Sequence, residues 1–342
     1  MSATPRREDS KALRVGLVGP RRLRQGLGPY LATFFERAGA HVTAVGGRRR
    51  EALAETTADL GARLGHPVRG YLGAAALVAG EAARGTPPDI LVIASPIEAH
   101  EEALEAALAG GCHAFCDKPT IWDGPGSAAR AAALFARFRA RGLHVGVNVQ
   151  WPETLRSFHA LWPDVDVAAA SLFRMTMGPS SIGWPMILDT LHHPISLLQA
   201  ARPDPMGGRL AKPSIESWPK EESDGATMRL GFHWHAAGRP TRVELTFVRS
   251  AAPPRRAGYG FDHAWVEREI RDPGYRFFFR RPDGREAAVP DPTPARVERF
   301  LRDLGRRRPV SETADEVSRL AALEAFAAIA PPDSAVSSPP AP

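Results

Sequence analysis

The sequence predicts an α/β protein: a doubly wound parallel-sheet domain, then an α+β domain with a largely antiparallel, open sheet. Up to about residue 150, short apolar runs alternate with amphipathic segments, the order that right-handed βαβ units produce. Beyond it, longer segments of alternating character follow one another with few helices between them, as in antiparallel sheets. The length of 342 residues suits two domains at roughly 100–200 residues each. We place one domain at 11–150 and a second at 151–330. The Pro/Ser-rich tail 331–342 (PPDSAVSSPPAP) is expected to be disordered, as are the first ten residues.

Leu13–Val18 is a buried strand that stops at Gly19, followed by a helix over Tyr30–Ala38 and a second strand over His41–Val45. A helix spans Arg50–Leu64. Asp89–Ala94 (DILVIA) is the most strand-like segment, a continuous apolar run of the kind a parallel sheet buries. Glu98–Ala109 is a helix, His113–Cys116 a short strand, Ser127–Arg141 a helix, and Leu143–Val149 closes the series. In the second half, strands are expected at Val167–Thr176, Ala226–His235, Arg242–Arg249, Ala264–Ile270 and Tyr275–Arg281. Helices are expected at Pro185–Ala201, Pro294–Gly305 and Ser311–Ile329.

Composition narrows the function classes. Hydrophobic residues make up 44% and charged residues 24%, ordinary globular usage that excludes a fibrous or wholly disordered chain. No apolar run reaches the ~18 residues of a membrane span, and the start MSATPRREDSKALR has no apolar h-region. Two cysteines, Cys112 and Cys116, are too few for a disulfide framework, so a reduced cytoplasmic setting is expected. The net charge is +6, with basic clusters at Arg48-Arg49-Arg50 and Arg306-Arg307-Arg308. They are scattered among acidic residues without interleaved aromatics, so no nucleic-acid partner is expected. His233 and His235 alternate on a strand with no third ligand spaced to join them, so no metal is expected.

The chemistry concentrates at strand ends, where doubly wound sheets bind ligands. After the first strand the chain reads Gly19-Pro20-Arg21-Arg22-Leu23-Arg24-Gln25-Gly26-Leu27-Gly28. Gly26 and Gly28 let backbone approach a pyrophosphate, and Arg21 and Arg22 neutralise it. The second strand runs into Gly46-Gly47-Arg48-Arg49-Arg50, with no carboxylate before Glu51. Arginines there accommodate a ribose 2′-phosphate, whereas an acidic residue would hold a bare 2′-hydroxyl. NADP is therefore expected over NAD. Lysine occurs at only four positions, and Lys118 immediately follows the strand ending Phe115-Cys116-Asp117. As a point cation it can orient a hydroxyl or stabilise an alkoxide. In Asp189-Thr190-Leu191-His192-His193-Pro194, a helix would put Asp189 and His193 one turn apart, where a carboxylate can tune an imidazole for proton transfer.

Read in order, Ser95-Pro96-x-x-x-His100, Cys116-Asp117-Lys118-Pro119, Val145-Gly146-Val147-Asn148 and Asp189-x-x-x-His193 resemble the glucose–fructose oxidoreductase / inositol dehydrogenase / MocA (Gfo/Idh/MocA) family. These are NAD(P)-dependent oxidoreductases with a Rossmann domain, and the resemblance spans about residues 13–330. It implies that Lys118, Asp189 and His193 are catalytic. It also implies that Ser95, Pro96 and His100 line the cofactor cleft with Gly19 and Lys118, and that Asn148 contacts substrate. The implied substrate is a hydroxyl or ketone of a sugar, nucleotide sugar or cyclic polyol; the competing class is a non-catalytic sensor of the same fold. A homo-oligomer, dimer or tetramer, is implied, for which the alternating Val243, Leu245 and Phe247 offer an apolar row. The chain departs from the family in its longer arginine-bearing loop and in Asp117, where glutamate is usual. Pro194 follows His193 directly, and His192 is a second candidate proton carrier.

Overall fold

The computed structural model describes residues 12–21, 27–219, 223–253, 255–271, 276–305 and 312–331. Arg22, Gly26 and most of the tail lie outside them. The first half reads β1 (Arg14–Val18), α1 (Gly28–Arg37), β2 (His41–Gly47), α2 (Arg50–Leu64), β3 (Arg69–Leu72), α3 (Gly73–Ala83) and β4 (Ile90–Ile93). It continues with α4 (His100–Ala109), β5 (His113–Asp117), α5 (Ser127–Ala140) and β6 (Val145–Asn148). The six strands form a sheet in the order β3-β2-β1-β4-β5-β6, and β1, β2, β3 and β4 pair in parallel. The order reverses between β1 and β4, the switch point of a doubly wound sheet. All four residues of β4 are buried, as the unbroken apolar run required. Phe35 of α1 packs edge-on against Phe115 of β5, ring centroids 5.4 Å apart.

The second half holds α6 (Leu155–Leu161), β7 (Leu172–Met177), α7 (Trp184–Thr190), α8 (His192–Ala201), β8 (Arg209–Ser217), β9 (Thr227–Ala236) and β10 (Arg239–Val248). Then come β11 (Ala257–Phe261), β12 (Ala264–Arg271), β13 (Arg276–Arg280), β14 (Glu286–Val289), α9 (Pro292–Gly305) and α10 (Glu312–Ala327). Eight strands form the sheet β14-β13-β12-β11-β7-β10-β9-β8. Its ladders are antiparallel except β10 with β7. An aromatic cluster of Phe158, Phe173, Tyr259, Phe261 and Phe279 fills its core. By compactness the chain divides into one unit of residues 1–96 and 102–115 and another of 97–101 and 116–342.

Several elements differ from the sequence reading for identifiable reasons. The strand expected from Val167 begins at Leu172, because Asp166 folds the preceding residues into a turn by accepting the Ala168 and Ala169 N–H groups. The helix expected over Pro185–Ala201 divides at Leu191 into α7 and α8; Pro194 has no N–H to continue the helical ladder there. Val243, Leu245 and Phe247 do not present an apolar row to a second copy. They are at most 1% exposed, in the core, while the other face of β10 carries exposed Arg242 and half-buried Glu244 and Thr246.

Candidate active site

The loop after β5 begins at Lys118, whose bond to Pro119 is cis. Three anchors hold it. Glu316 of α10 accepts from the Thr120 N–H and the Thr120 hydroxyl, each at 2.9 Å. His100 Nδ1 donates to the Pro119 carbonyl at 2.9 Å; a carbonyl only accepts, so this nitrogen carries the proton. Asn148, at the end of β6, donates through Nδ2 to Asp117 Oδ1 at 3.2 Å.

Lys118 projects its ammonium onto the C-terminal end of α7. Nζ donates to the Asp189 backbone carbonyl and, at 2.8 Å, to Asp189 Oδ1. The Lys118 side chain is 11% exposed and that of Asp189 57%. An ammonium has three N–H donors, so one remains for a further acceptor. Burial works against charge on Lys118, but the carboxylates of Asp189, Asp117 and Glu316 outweigh it and hold the ammonium above its ordinary pKa. The Lys118 charge in turn holds the Asp189 carboxyl below its ordinary range.

His193, the second residue of α8, stands in the field of both groups. Burial, reinforced by the Lys118 charge, pushes its imidazole well below the usual histidine pKa; Asp189 opposes the shift without reversing it. The ring is therefore neutral at physiological pH. Its Nδ1 is buried without a hydrogen-bond partner among the described residues, and Trp151 lies beside it, ring centroids 6.4 Å apart. The expectation that Asp189 orients this imidazole by a one-turn contact takes a different form. No hydrogen bond joins the two among the described residues, because the Asp189 carboxylate is engaged by Lys118, and it acts on His193 through its charge.

His192 points elsewhere. It is fully buried and its Nε2 lies 3.3 Å from Glu316 Oε1, also fully buried. Burial holds this histidine below its usual pKa despite that carboxylate. Glu316 also receives Arg319 Nε at 2.8 Å. Burial opposes its ionisation, yet His192 and Arg319 outweigh burial and hold its carboxyl far below the ordinary range. A second pair, buried Arg296 with half-buried Glu312, holds the backbone of Val147, the residue before Asn148. Arg296 donates to the Val147 carbonyl at 3.0 Å and to Glu312, which accepts the Val147 N–H at 3.2 Å. Glu316, Glu312 and Arg296 were absent from the sequence reading. Their signal was present only as charges on the buried stripes of α9 and α10, where a lone carboxylate or guanidinium requires a partner.

The glycines and arginines sit at the ends of β1 and β2. Gly19 adopts a left-handed φ of 79°, and a Cβ there would lie 2.4 Å from the Ser95 backbone nitrogen. A Cβ on Gly28 would lie 2.2 Å from the Gly19 carbonyl oxygen. Both glycines are thus needed for close backbone approach where the turn enters α1, which has Pro29 in its first turn. Arg48 and Arg49 are exposed at the carboxyl end of β2, and Arg21 is half-buried. Ser95 and Pro96 follow β4, beside Gly19. This donor set, a helix N-terminus with guanidinium groups, suits the phosphates of a dinucleotide.

Residues 13–149 match a family model described as "Oxidoreductase family, NAD-binding Rossmann fold". This segment belongs to the Gfo/Idh/MocA family. The Gfo/Idh/MocA segment contains the glycines and arginines at the ends of β1 and β2 and the strand-end residues Ser95, Pro96, Lys118 and Asn148, and ends just before α6. No curated protein matches the chain. Among solved structures, a UDP-N-acetylglucosamine 3-dehydrogenase from Acidithiobacillus ferrooxidans is 20% identical, with a TM-score of 0.64, covering 93% of this chain and 100% of its own. A 3-ketoreductase from Actinomadura kijaniata, crystallised with NADP and TDP-benzene, is 18% identical, with a TM-score of 0.64 over 94% and 98% of the two chains. A putative myo-inositol dehydrogenase from Sinorhizobium meliloti is 15% identical, with a TM-score of 0.62 over 93% and 98%. At these identities the likeness establishes the fold alone, over 93–94% of the chain.

Proposed function

We propose that this protein is an NADP-preferring oxidoreductase that interconverts a hydroxyl and a ketone on a sugar, nucleotide sugar or cyclic polyol. The reading assigns dinucleotide binding to the domain at 11–150 and substrate selection to the domain at 151–330. One observation carries it. Lys118 offers one N–H unused among the described residues, from a nearly buried ammonium held above its ordinary pKa, whose charge acts on a neutral histidine with no Nδ1 partner among the described residues. An alcohol oxygen placed on Lys118 donates its proton to the His193 imidazole as it becomes a carbonyl, and the reverse occurs on reduction. The ammonium stabilises negative charge developing on that oxygen. Asp189 holds Lys118 by two contacts and keeps it charged; Asn148 Oδ1, also buried without a partner among the described residues, is a further acceptor for a substrate hydroxyl. The dinucleotide supplies or accepts the hydride at its nicotinamide ring. Arg48 and Arg49 hold its 2′-phosphate, and Arg21, Gly19 and Gly28 its pyrophosphate, with Arg22 and Gly26 of the same loop assigned to that role from sequence. Ser95, Pro96 and His100 complete the cofactor side, His100 by fixing the loop that carries Lys118.

The relatives' substrates support the choice of class: one is named for a nucleotide sugar and another, tentatively named, for an inositol. We place the protein in the cytoplasm as a homo-oligomer. The test is turnover of NADPH or NADP⁺, followed by nicotinamide absorbance, across a panel of sugars, nucleotide sugars and their keto forms. Turnover that falls by about a hundredfold or more in Lys118→Ala supports the reading. Tight binding of cofactor and sugar with no turnover would establish the sensor instead.

A further inference from the structure

A second cluster of chemistry-bearing side chains lies on the Rossmann unit, apart from every residue used above. Glu36 stands in the last turn of α1, His41 opens β2, and His66 follows α2. Each offers one ligand atom, and the three atoms lie within 4.8 Å of one another. Glu36 Oε1 is 2.7 Å from His66 Nε2 and 3.3 Å from His41 Nδ1. The two imidazoles face each other at a centroid separation of 4.3 Å.

The backbone fixes the two inner groups. Glu36 Oε1 accepts the Val42 N–H at 2.7 Å, which anchors the carboxylate at the start of β2. His66 Nδ1 lies 3.2 Å from the Pro67 carbonyl, which can only accept, so Nδ1 carries the proton. In the neutral ring, Nε2 is then a bare lone pair aimed at a carboxylate oxygen. That arrangement calls for a positive charge at the contact. A carbonyl that fixes the tautomer of a histidine so that its other nitrogen can coordinate is the usual outer shell of a metal-bound imidazole.

We propose that Glu36, His41 and His66 form a binding site for a zinc-class divalent ion, with the remaining position open to water. Two imidazoles and one carboxylate match the donor set of Zn²⁺ and its transition-metal neighbours, and disfavour Mg²⁺ and Ca²⁺, which take oxygen ligands. With metal–ligand bonds of about 2.0–2.1 Å, a tetrahedral site separates its ligand atoms by roughly 3.3 Å. The Glu36–His41 pair already has that spacing, and the Glu36–His66 pair needs to open by about half an ångström. The ion would tie the α1–β2 connection to the end of α2, a clamp on the sheet edge formed by β2 and β3. The rival occupant of the same lone pair is a proton on His66, giving a simple imidazolium–carboxylate pair.

The experiment is Zn²⁺ titration of the full chain by calorimetry near neutral pH, with Co²⁺ as a visible-absorbing probe and Mg²⁺ as control. We expect one Zn²⁺ per chain, a Co²⁺ spectrum of low-coordinate type, and no saturable Mg²⁺ binding. Loss of an outer-shell partner costs about 10–100-fold in affinity, so His41→Ala or His66→Ala should cost at least that much. Glu36→Gln, which keeps an acceptor for the Val42 N–H, should weaken Zn²⁺ while the protein stays folded. His233→Ala combined with His235→Ala should leave the binding step unchanged. Absence of a saturable step, or a step that survives in the His41→Ala/His66→Ala double variant, overturns the proposal; the first outcome assigns the cluster to the proton.

Discussion

Asp189→Asn isolates the charge of Asp189 from its shape, since an amide oxygen can still accept from Lys118 and the backbone carbonyl is untouched. The ion pair is 2.8 Å long. At an effective dielectric of about 20, Coulomb attraction at that distance is about 6 kcal/mol. The Asp189 side chain is 57% exposed, and solvent screening cuts such a pair to about 1 kcal/mol or less; what remains still favours the charged form of Lys118. The wild-type ammonium sits above its ordinary 10.5, so the rate should be flat through the alkaline range a steady-state assay reaches. In the variant, the alkaline limb of kcat should move down, toward the range the assay reaches. The sign at His193 is fixed as well. Asp189 raises that imidazole against burial and Lys118, so removing it moves the acid limb further down. Both limbs therefore shift in the same direction. The measurement is kcat against pH with saturating cofactor and substrate, and near neutrality the loss should be far smaller than in Lys118→Ala. An unmoved alkaline limb would refute the assignment of Lys118 as the charged donor; an acid limb that rises would refute the ordering of charges around His193.

His193→Asn should lower kcat by about 10²–10⁴ with little change in the cofactor dissociation constant, whereas His192→Asn should act on thermal stability, read by calorimetric melting, because its imidazole faces Glu316. Arg48→Ala and Arg49→Ala should weaken NADP about ten- to a hundredfold by fluorescence titration and leave NAD nearly unchanged, since a charge-assisted contact contributes about 1.5–3 kcal/mol. Glu316→Gln should destabilise the fold by about 3–5 kcal/mol in denaturant unfolding, by breaking a buried charge network. Because the Glu316 carboxyl is held below its usual 4.5, its contribution to stability is present above that pH and fades as pH falls below it; the variant should lack this acid dependence.

The architecture was legible because parallel and antiparallel sheets leave different periodicities, and the long amphipathic helices announced their apolar faces. What escaped were elements whose sequence carries no period. The α3 helix, GAAALVAGEAA, is apolar nearly all round and interrupted by glycines. Gly80 is small because Tyr71 packs there: a Cβ would lie 2.3 Å from its ring. The β11 strand, AGYGF, is buried at every position, and Gly258 makes room for the Trp265 indole, 2.8 Å from where its Cβ would stand. Glycine in a strand normally argues against the strand, and here the reason for it lies in a partner eight residues or fewer away that composition does not reveal. The β8 edge strand contains a proline, which edges tolerate and which masks the strand in sequence.

The candidate site was legible for a different reason: the groups we propose as acting are single residues at strand and helix ends, where ligands are met. Lys118 stood out because lysine is rare in this chain, and His193 by its spacing from Asp189. Their supports were not legible, because a buried carboxylate on a late helix looks in sequence like any surface glutamate. Glu316 alone joins the Thr120 backbone, the Thr120 hydroxyl, His192 and Arg319, and its charge is one of those that keep Lys118 protonated. Burying that carboxylate is costly unless each lone pair is met, and here the partners that meet it are the loop bearing Lys118 and the helix bearing His193. The expense of one buried charge thus fixes both acting groups at once. It follows that Glu316 is a positioning residue, whose replacement should lower kcat while leaving the pH limits of Lys118 and His193 closer to wild type than Asp189→Asn does.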